Sequence, residues 1–342
     1  IEPMWKRIAA AVLLILLTAS AYIFWPESAN LDDLVDAGLT YEVRILRDEW
    51  GVPHVFGQTD ADVAYGLAYA HAEDDFLTIQ QSILAARGEL ASVYGVDAAP
   101  NDYMVQLLRI WDVVDEAYSK DLSLEVRAIC EAYADGLNLY AALHPSEAFP
   151  GLFPATGKDV VAGSVHKSPL FFGLDGVLGD LFKDSRQSEV SAFGTGQTRW
   201  PENTTGENEL AWAKSVAGSN TFALAPHRTT DGSTMLTVNS HQPWEGPVTW
   251  YEAHVHSAEG WDMTGALFPG VPVIIQGHNR DLGWAFTVNH PDLADVFVLE
   301  INPENPDQYR FDGEWLYLET RTAPIKVKLL GRLAWTFKQD VL

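Results

Sequence analysis

"VAGSNTFALAP", Val216–Pro226, sets a lone serine between a glycine and an asparagine, directly ahead of a run with strand character. One reading is a turn leading into a strand. The other is a peptide bond that the protein cuts in itself. A serine hydroxyl is a weak nucleophile and needs a base. His227, His241, His254, His256, His278 and His290 keep a Ser–His–carboxylate arrangement open. Gly218-Ser219-Asn220-Thr221, however, lacks the G-x-S-x-G signature of a sharp nucleophile turn. Cleavage of the Gly218–Ser219 bond offers a different route. Ser219 would then carry its own α-amine, whose ordinary pKa of about 7.7–8 is close to what a base needs near neutral pH. Gly218 suits such a step, because it has no side chain to block attack on its carbonyl and tolerates a strained backbone.

The character of the chain changes on either side of this point. Before it, Lys183–Lys214 is polar, rich in Gly, Ser and Thr, and reads as a long exposed loop. After it, "NTFALAP", "STMLTVNS", "VTWYEAHVHS" and "PVIIQGH" are short β-rich runs separated by turn residues, and Asp312-Gly313 splits "YRFDGEWLYLE" like a hairpin. Further upstream, "YEVRILRDEWGVPHVF" (Tyr41–Phe56) alternates like a strand with a Gly-Val-Pro turn inside it. Thr59 and Asp62 form a capping box, and Val63, Leu67, Ala70, Phe76, Ile79 and Leu84 continue as a helical stripe. A second helix is expected over Leu122–Leu143. A helix-rich first half is thus joined to a strand-rich second half, with Ser219 at the junction.

Composition narrows the function classes. The 342 residues carry a formal charge of −25, which disfavours nucleic acid as a partner. With 47% apolar residues the chain has ample material for a core. The single cysteine, Cys130, excludes an intrachain disulfide and reads as a buried thiol. At the N-terminus, Met4-Trp5-Lys6-Arg7 precedes the uncharged stretch Ile8–Trp25. That pattern predicts export, to the periplasm or to an anchor on the outer side of the inner membrane. Ala19-Ser20-Ala21 offers a cleavage site, and residues 8–25 are also long enough for a membrane tether.

Three segments carry a resemblance. "RDEWGVPHVFGQTDADVAYGLAYAHAEDDF" (Arg47–Phe76) resembles the opening of the penicillin acylase family of N-terminal nucleophile hydrolases. "GSNTFALAPHRTTDGSTMLTVNSHQPW" (Gly218–Trp244) is similar to the start of that family's β-chain, and Phe268–Glu300 to its central segment. The branch nearest in appearance is the acyl-homoserine-lactone and lipid-amide acylases. The resemblance implies an α+β fold, an αββα sandwich incomplete in this chain. It implies a precursor that cleaves itself into α- and β-chains, and hydrolysis of an N-acyl amide to a carboxylic acid and an amine.

Carried over by position, Ser219 is the nucleophile and first β-chain residue, with autocleavage between Gly218 and Ser219. His241 matches a histidine that orients the terminal amine, with a structural histidine as the alternative reading. The backbone N–H of Val288 matches an oxyanion donor, a fixed dipole aimed at developing charge. The implied acyl pocket draws on Leu170, Phe171, Phe172, Trp244, Phe268 and Val271. Gln242 stands where the family commonly has a pocket phenylalanine, which leaves two substrate classes open: acyl-homoserine lactones or lipid amides, and penicillin- or cephalosporin-type acyl amides. No organic cofactor is implied. A structural calcium ion is, through Asp292, the carbonyl of Ala294 and Asp295, with Asp180 from the first half; the alternative is a solvated acidic turn.

The expected organisation is a signal peptide or anchor over 1–26, a helix-rich α-chain region over 27–182, a polar spacer over 183–218 and the start of a β-chain over 219–342. The family's second oxyanion donor, an asparagine, lies past the last residue, so this reading takes the chain as an N-terminal fragment, inactive alone. Two other classes stay open at this point: a conventional serine hydrolase pairing His241 with Asp262 or Asp292, and a non-catalytic tethered binding protein.

Overall fold

The computed structural model describes residues 40–171, 219–287 and 295–341, together with scattered positions between 13 and 35 and at 174 and 177. The Lys183–Lys214 loop and most of the apolar 8–25 stretch lie outside the described residues. No helix among the described residues is long and apolar enough to cross a membrane.

The chain opens with a hairpin of β1 (Val43–Arg47) and β2 (Pro53–Gly57). Asp48 closes its turn, the carboxylate accepting from the Trp50 and Val52 amides at 2.9 and 3.0 Å. Such local acceptance by an aspartate stabilises a turn against alternatives. Helix α1 (Asp60–Arg87) then starts at the predicted capping box. The Thr59 hydroxyl accepts from the Asp62 amide, and the Asp62 carboxylate accepts from the Thr59 amide. Asp62 also takes the Glu42 amide at 3.0 Å, which fixes the helix start against β1. The helix kinks at Asp75 (φ −151°, ψ 59°), whose carboxylate re-caps the second half through Thr78.

Short helices α2 (Ala91–Tyr94), α3 (Ala99–Leu107) and α4 (Ile110–Ala117) lead to α5 (Leu124–Leu143), capped by Ser123, and α6 (Gly157–Phe171). Helices α1 and α5 meet at Gly136, where a Cβ would collide with the backbone oxygen of Tyr65. Cys130 is buried on α5, and burial pushes its thiol up to about 11, consistent with an inert structural role. Arg87 at the end of α1 forks onto Asp159 of α6 at 2.6 and 2.9 Å and donates to the Leu152 and Pro154 carbonyls.

The second half supplies β3 (Ser219–Leu224), β4 (Met235–Ser240), β5 (Tyr251–Ser257), β6 (Asp262–Leu267), β7 (Gln276–His278) and β8 (Gly283–Trp284). A six-stranded sheet runs β1-β2-β5-β6-β7-β8. The seam of β2 against β5 is parallel and pairs His54–Gly57 with His254–Ser257. Alternation along the strands turns Val55, Ala253, Val255 and Leu267 toward the helices, where they share one core with Leu67, Ile79, Tyr133 and Leu137. The first-half strands therefore belong to the second-half sheet, a pairing that local periodicity does not reveal.

Strands β3 and β4 form a separate antiparallel hairpin on the sheet's other side. Leu236 reaches Gly283, where a Cβ would come within 2.8 Å of its Cδ2, and Gln276 donates to the Ser240 hydroxyl at 2.7 Å. The fold is α+β, with the helices covering one face of the large sheet and the hairpin joined to it through these two contacts. Beyond them, β9 (Ile301–Asn302), β10 (Asn305–Phe311) and β11 (Glu314–Tyr317) make a small sheet, with Asp312 and Gly313 at positive φ in the predicted hairpin turn. Strands β12 (Arg321–Leu330) and β13 (Leu333–Val341) pair, and Ile325 and Val327 pack against Ala91 on α2.

Candidate active site

Ser219 opens β3 as described and pairs directly with Ser240 at the end of β4. Residues directly opposite in an antiparallel pair share a face. Ser219, Thr221 and Ala223 therefore lie with Ser240, Val238 and Leu236 on one side of the hairpin. That side meets the large sheet through Leu236 and Ser240, while Thr221, Ala223 and Val238 on it are exposed. Ser219 is half-buried there, while Asn220 is exposed on the opposite side. His241, one residue past Ser240, joins Asn220: its Nε2 lies 3.4 Å from the Asn220 Nδ2.

Gln276 ties the site to the sheet. It is 3% exposed, donates to Ser240 and accepts from the Phe286 amide at 3.4 Å. Sequence reasoning did not select it, because a glutamine inside "PVIIQGH" reads as one polar position in an apolar run.

The residues expected at the acyl pocket divide. Phe171, Phe268 and Val271 come together with Val248, Trp250 and Ile275 in a satellite cluster. The Phe268 ring stacks on Phe171 at 5.5 Å and on Trp250 at 4.1 Å. Buried Lys167 on α6 holds the adjoining turn by donating to the Pro269 carbonyl at 2.7 Å, and burial lowers its pKa to about 8. Trp244, by contrast, is 97% exposed, and Gln242 is half-buried outside the cluster. Val248 and Trp250 were legible only as part of an aromatic strand segment.

Asp262 does not meet His241. Its Oδ1 lies 3.4 Å from His254 Nε2 and 3.6 Å from His256 Nδ1. Gly218, Val288, Phe172, Asp180, Asp292, Ala294 and the Leu170 side chain lie outside the described residues. Of the expected calcium ligands only Asp295 is described, and it is exposed; among the described residues no three ligating side chains converge.

Residues 42–336 match the family profile described as penicillin amidase. The chain belongs to the penicillin amidase family. It is 28% identical over 298 residues to the acyl-homoserine lactone acylase PvdQ of Pseudomonas fluorescens (strain Pf0-1), covering 83% of this chain and 38% of that one. It is 26% identical over 342 residues to the aculeacin-A acylase of Actinoplanes utahensis, covering 93% and 42%. A thermostable penicillin G acylase from Alcaligenes faecalis superposes with a TM-score of 0.32 at 22% identity, over 48% of this chain and 97% of that one. This penicillin amidase chain thus spans about 38–42% of the length of these two curated relatives.

Proposed function

We propose that the protein is a self-processing N-terminal serine amidohydrolase that cleaves N-acylated small molecules to a carboxylic acid and an amine. The observation that carries the reading is the place of Ser219 in a penicillin amidase chain. It stands at the head of β3, paired with Ser240, through which the hairpin meets the large sheet. A terminal nucleophile needs a rigid platform, and a hairpin tied to a sheet is one.

In the processing step the Ser219 hydroxyl attacks the Gly218 carbonyl. The acyl group passes from N to O, and water hydrolyses the ester, leaving Ser219 with its own α-amine. In turnover the same hydroxyl attacks the substrate amide. The amine takes the hydroxyl proton and delivers it to the leaving amine, and water then releases the acid. His241, which follows Ser240 and lies 3.4 Å from Asn220, would orient the new terminus; the Val288 amide would stabilise the oxyanion. The Phe171–Phe268–Trp250 cluster supplies apolar surface for an acyl chain. Relatives named as acylases of acyl-homoserine lactone and of aculeacin-A support an N-acyl substrate. The basic-apolar N-terminal stretch supports export.

The reading is tested by expressing the whole reading frame, offering the purified product N-acyl amides of graded chain length and measuring the released acid by mass spectrometry. Acid release that disappears in Ser219→Ala supports it. Hydrolysis that persists in folded Ser219→Ala contradicts it.

A further inference from the structure

The sheet face turned away from the helices carries a second constellation, distinct from Ser219. His54 on β2 and His254 on β5 are register partners across the parallel seam. Their Nδ1 atoms stand 3.0 Å apart. Each ring has a carboxylate at its other nitrogen: Asp48 Oδ2 lies 3.6 Å from His54 Nε2, and Asp262 Oδ1 lies 3.4 Å from His254 Nε2. Phe56 walls one side, edge-on to His254 at 5.7 Å. The two histidines are 34% and 22% exposed, open enough for a small ion to enter.

A carboxylate at Nε2 draws the ring proton to that atom and leaves the lone pair on Nδ1. Asp262 is within hydrogen-bond reach of His254, and the Asp48 charge 3.6 Å from His54 Nε2 favours the same tautomer electrostatically; two lone pairs then converge, and a cation is what such a pair accepts. Outer-shell carboxylates of this kind are the usual companions of metal-binding imidazoles. The spacing also fits. Nitrogens about 2.0–2.1 Å from a zinc ion stand roughly 2.9 Å apart at a right angle and about 3.3 Å apart at the tetrahedral angle.

We infer that His54 and His254 form a binding site for a divalent transition metal of the zinc, copper or nickel type, held through the two Nδ1 atoms and oriented by Asp48 and Asp262. Imidazole is a preferred donor for these ions. Among the described residues no third ligating side chain joins the pair, so water completes the coordination. The ion bridges residues 200 positions apart in sequence, one before Ser219 and one after it. It would staple the β2–β5 seam, and this holds whether or not the chain processes itself.

The test is calorimetric titration of the full chain with Zn2+, and electron paramagnetic resonance with Cu2+. The expected result is one strong site per chain with hyperfine structure from two imidazole nitrogens. Affinity should fall at least tenfold in His54→Ala and in His254→Ala, and about 10–100-fold in Asp262→Asn. His227→Ala, an exposed histidine elsewhere, should leave it unchanged. Zn2+ should raise the Tm of the wild type but not of His254→Ala. Asp262→Asn keeps both ligands and gives the answer if a histidine variant fails to fold. Equal binding by wild type and the two histidine variants, or no binding by folded wild type, would mean that the pair shares a proton only, and would overturn the inference.

Discussion

Gln276 donates a 2.7 Å hydrogen bond to the hydroxyl of Ser240, the residue paired with Ser219. The amide of a buried sheet residue thereby holds the hairpin end that carries the proposed nucleophile. Gln276→Leu keeps the volume and removes the bond. It should cost about 1–2 kcal/mol in chemical denaturation. Amide exchange in β3 and β4 should accelerate while α1 and α5 stay protected. In turnover it should lower kcat more than it raises KM, because a loosened nucleophile reacts poorly once substrate is bound.

Two glycines in helices give opposite outcomes. At Gly136 a Cβ would run into the Tyr65 backbone oxygen, which cannot step aside without moving α1. Gly136→Ala should destabilise by about 1–3 kcal/mol. Gly163, on α6, is buried, yet beyond its own helix backbone no atom lies within 4 Å of where a methyl group would sit. Gly163→Ala should stabilise by about 0.5–1 kcal/mol through helix propensity and a less free unfolded chain. Urea denaturation of the two variants checks both signs.

The Arg87–Asp159 pair bridges α1 and α6 with Asp159 only 3% exposed. Breaking one partner leaves the other charge buried, so Arg87→Ala or Asp159→Asn should each cost about 3–5 kcal/mol. The double variant should cost less than the sum, which a double-mutant cycle measures.

Burial also shapes the pH dependence of stability. It lowers His71 to about 3 and His166 to about 4, the neighbouring Lys167 adding to both shifts. Below the ordinary histidine range, about 6.5, the unfolded chain binds these protons and the folded chain does not. Stability should therefore fall as pH drops from about 6.5 toward 4. Lys167, lowered to about 8, acts the same way on the alkaline side, so stability should rise from about 8 to about 9; above that Cys130, raised to about 11, and the buried tyrosines, raised by burial, act with the opposite sign. Denaturation across pH should show both slopes, and Lys167→Met should flatten the alkaline one.

Much of the fold was legible in local chemistry. Thr59 and Asp62 cap α1 as their spacing predicts, α5 begins two residues into the expected span, and Asp312-Gly313 turns the β10–β11 hairpin. These features depend on neighbours in sequence. What was not legible depends on distant partners. Nothing in "GVPHVF" says that His54 pairs with His254, because parallel pairing is set by how the helices cover the sheet. The same holds for the candidate site: Ser219 is selected by its flanking residues, whereas Gln276 comes into view only where β7 meets the hairpin. Phe171, Phe268 and Val271 share one apolar cluster while Trp244 stands exposed, since aromatic character alone does not say which surface a side chain meets.

The central claim is that Ser219 becomes a chain terminus and acts as both nucleophile and base. Intact mass and N-terminal sequencing of the purified protein test it most directly. The account predicts a fragment beginning Ser-Asn-Thr-Phe in the wild type and a single uncut chain in Ser219→Ala. A wild-type preparation that hydrolyses N-acyl amides while remaining uncut at Gly218–Ser219 would contradict it.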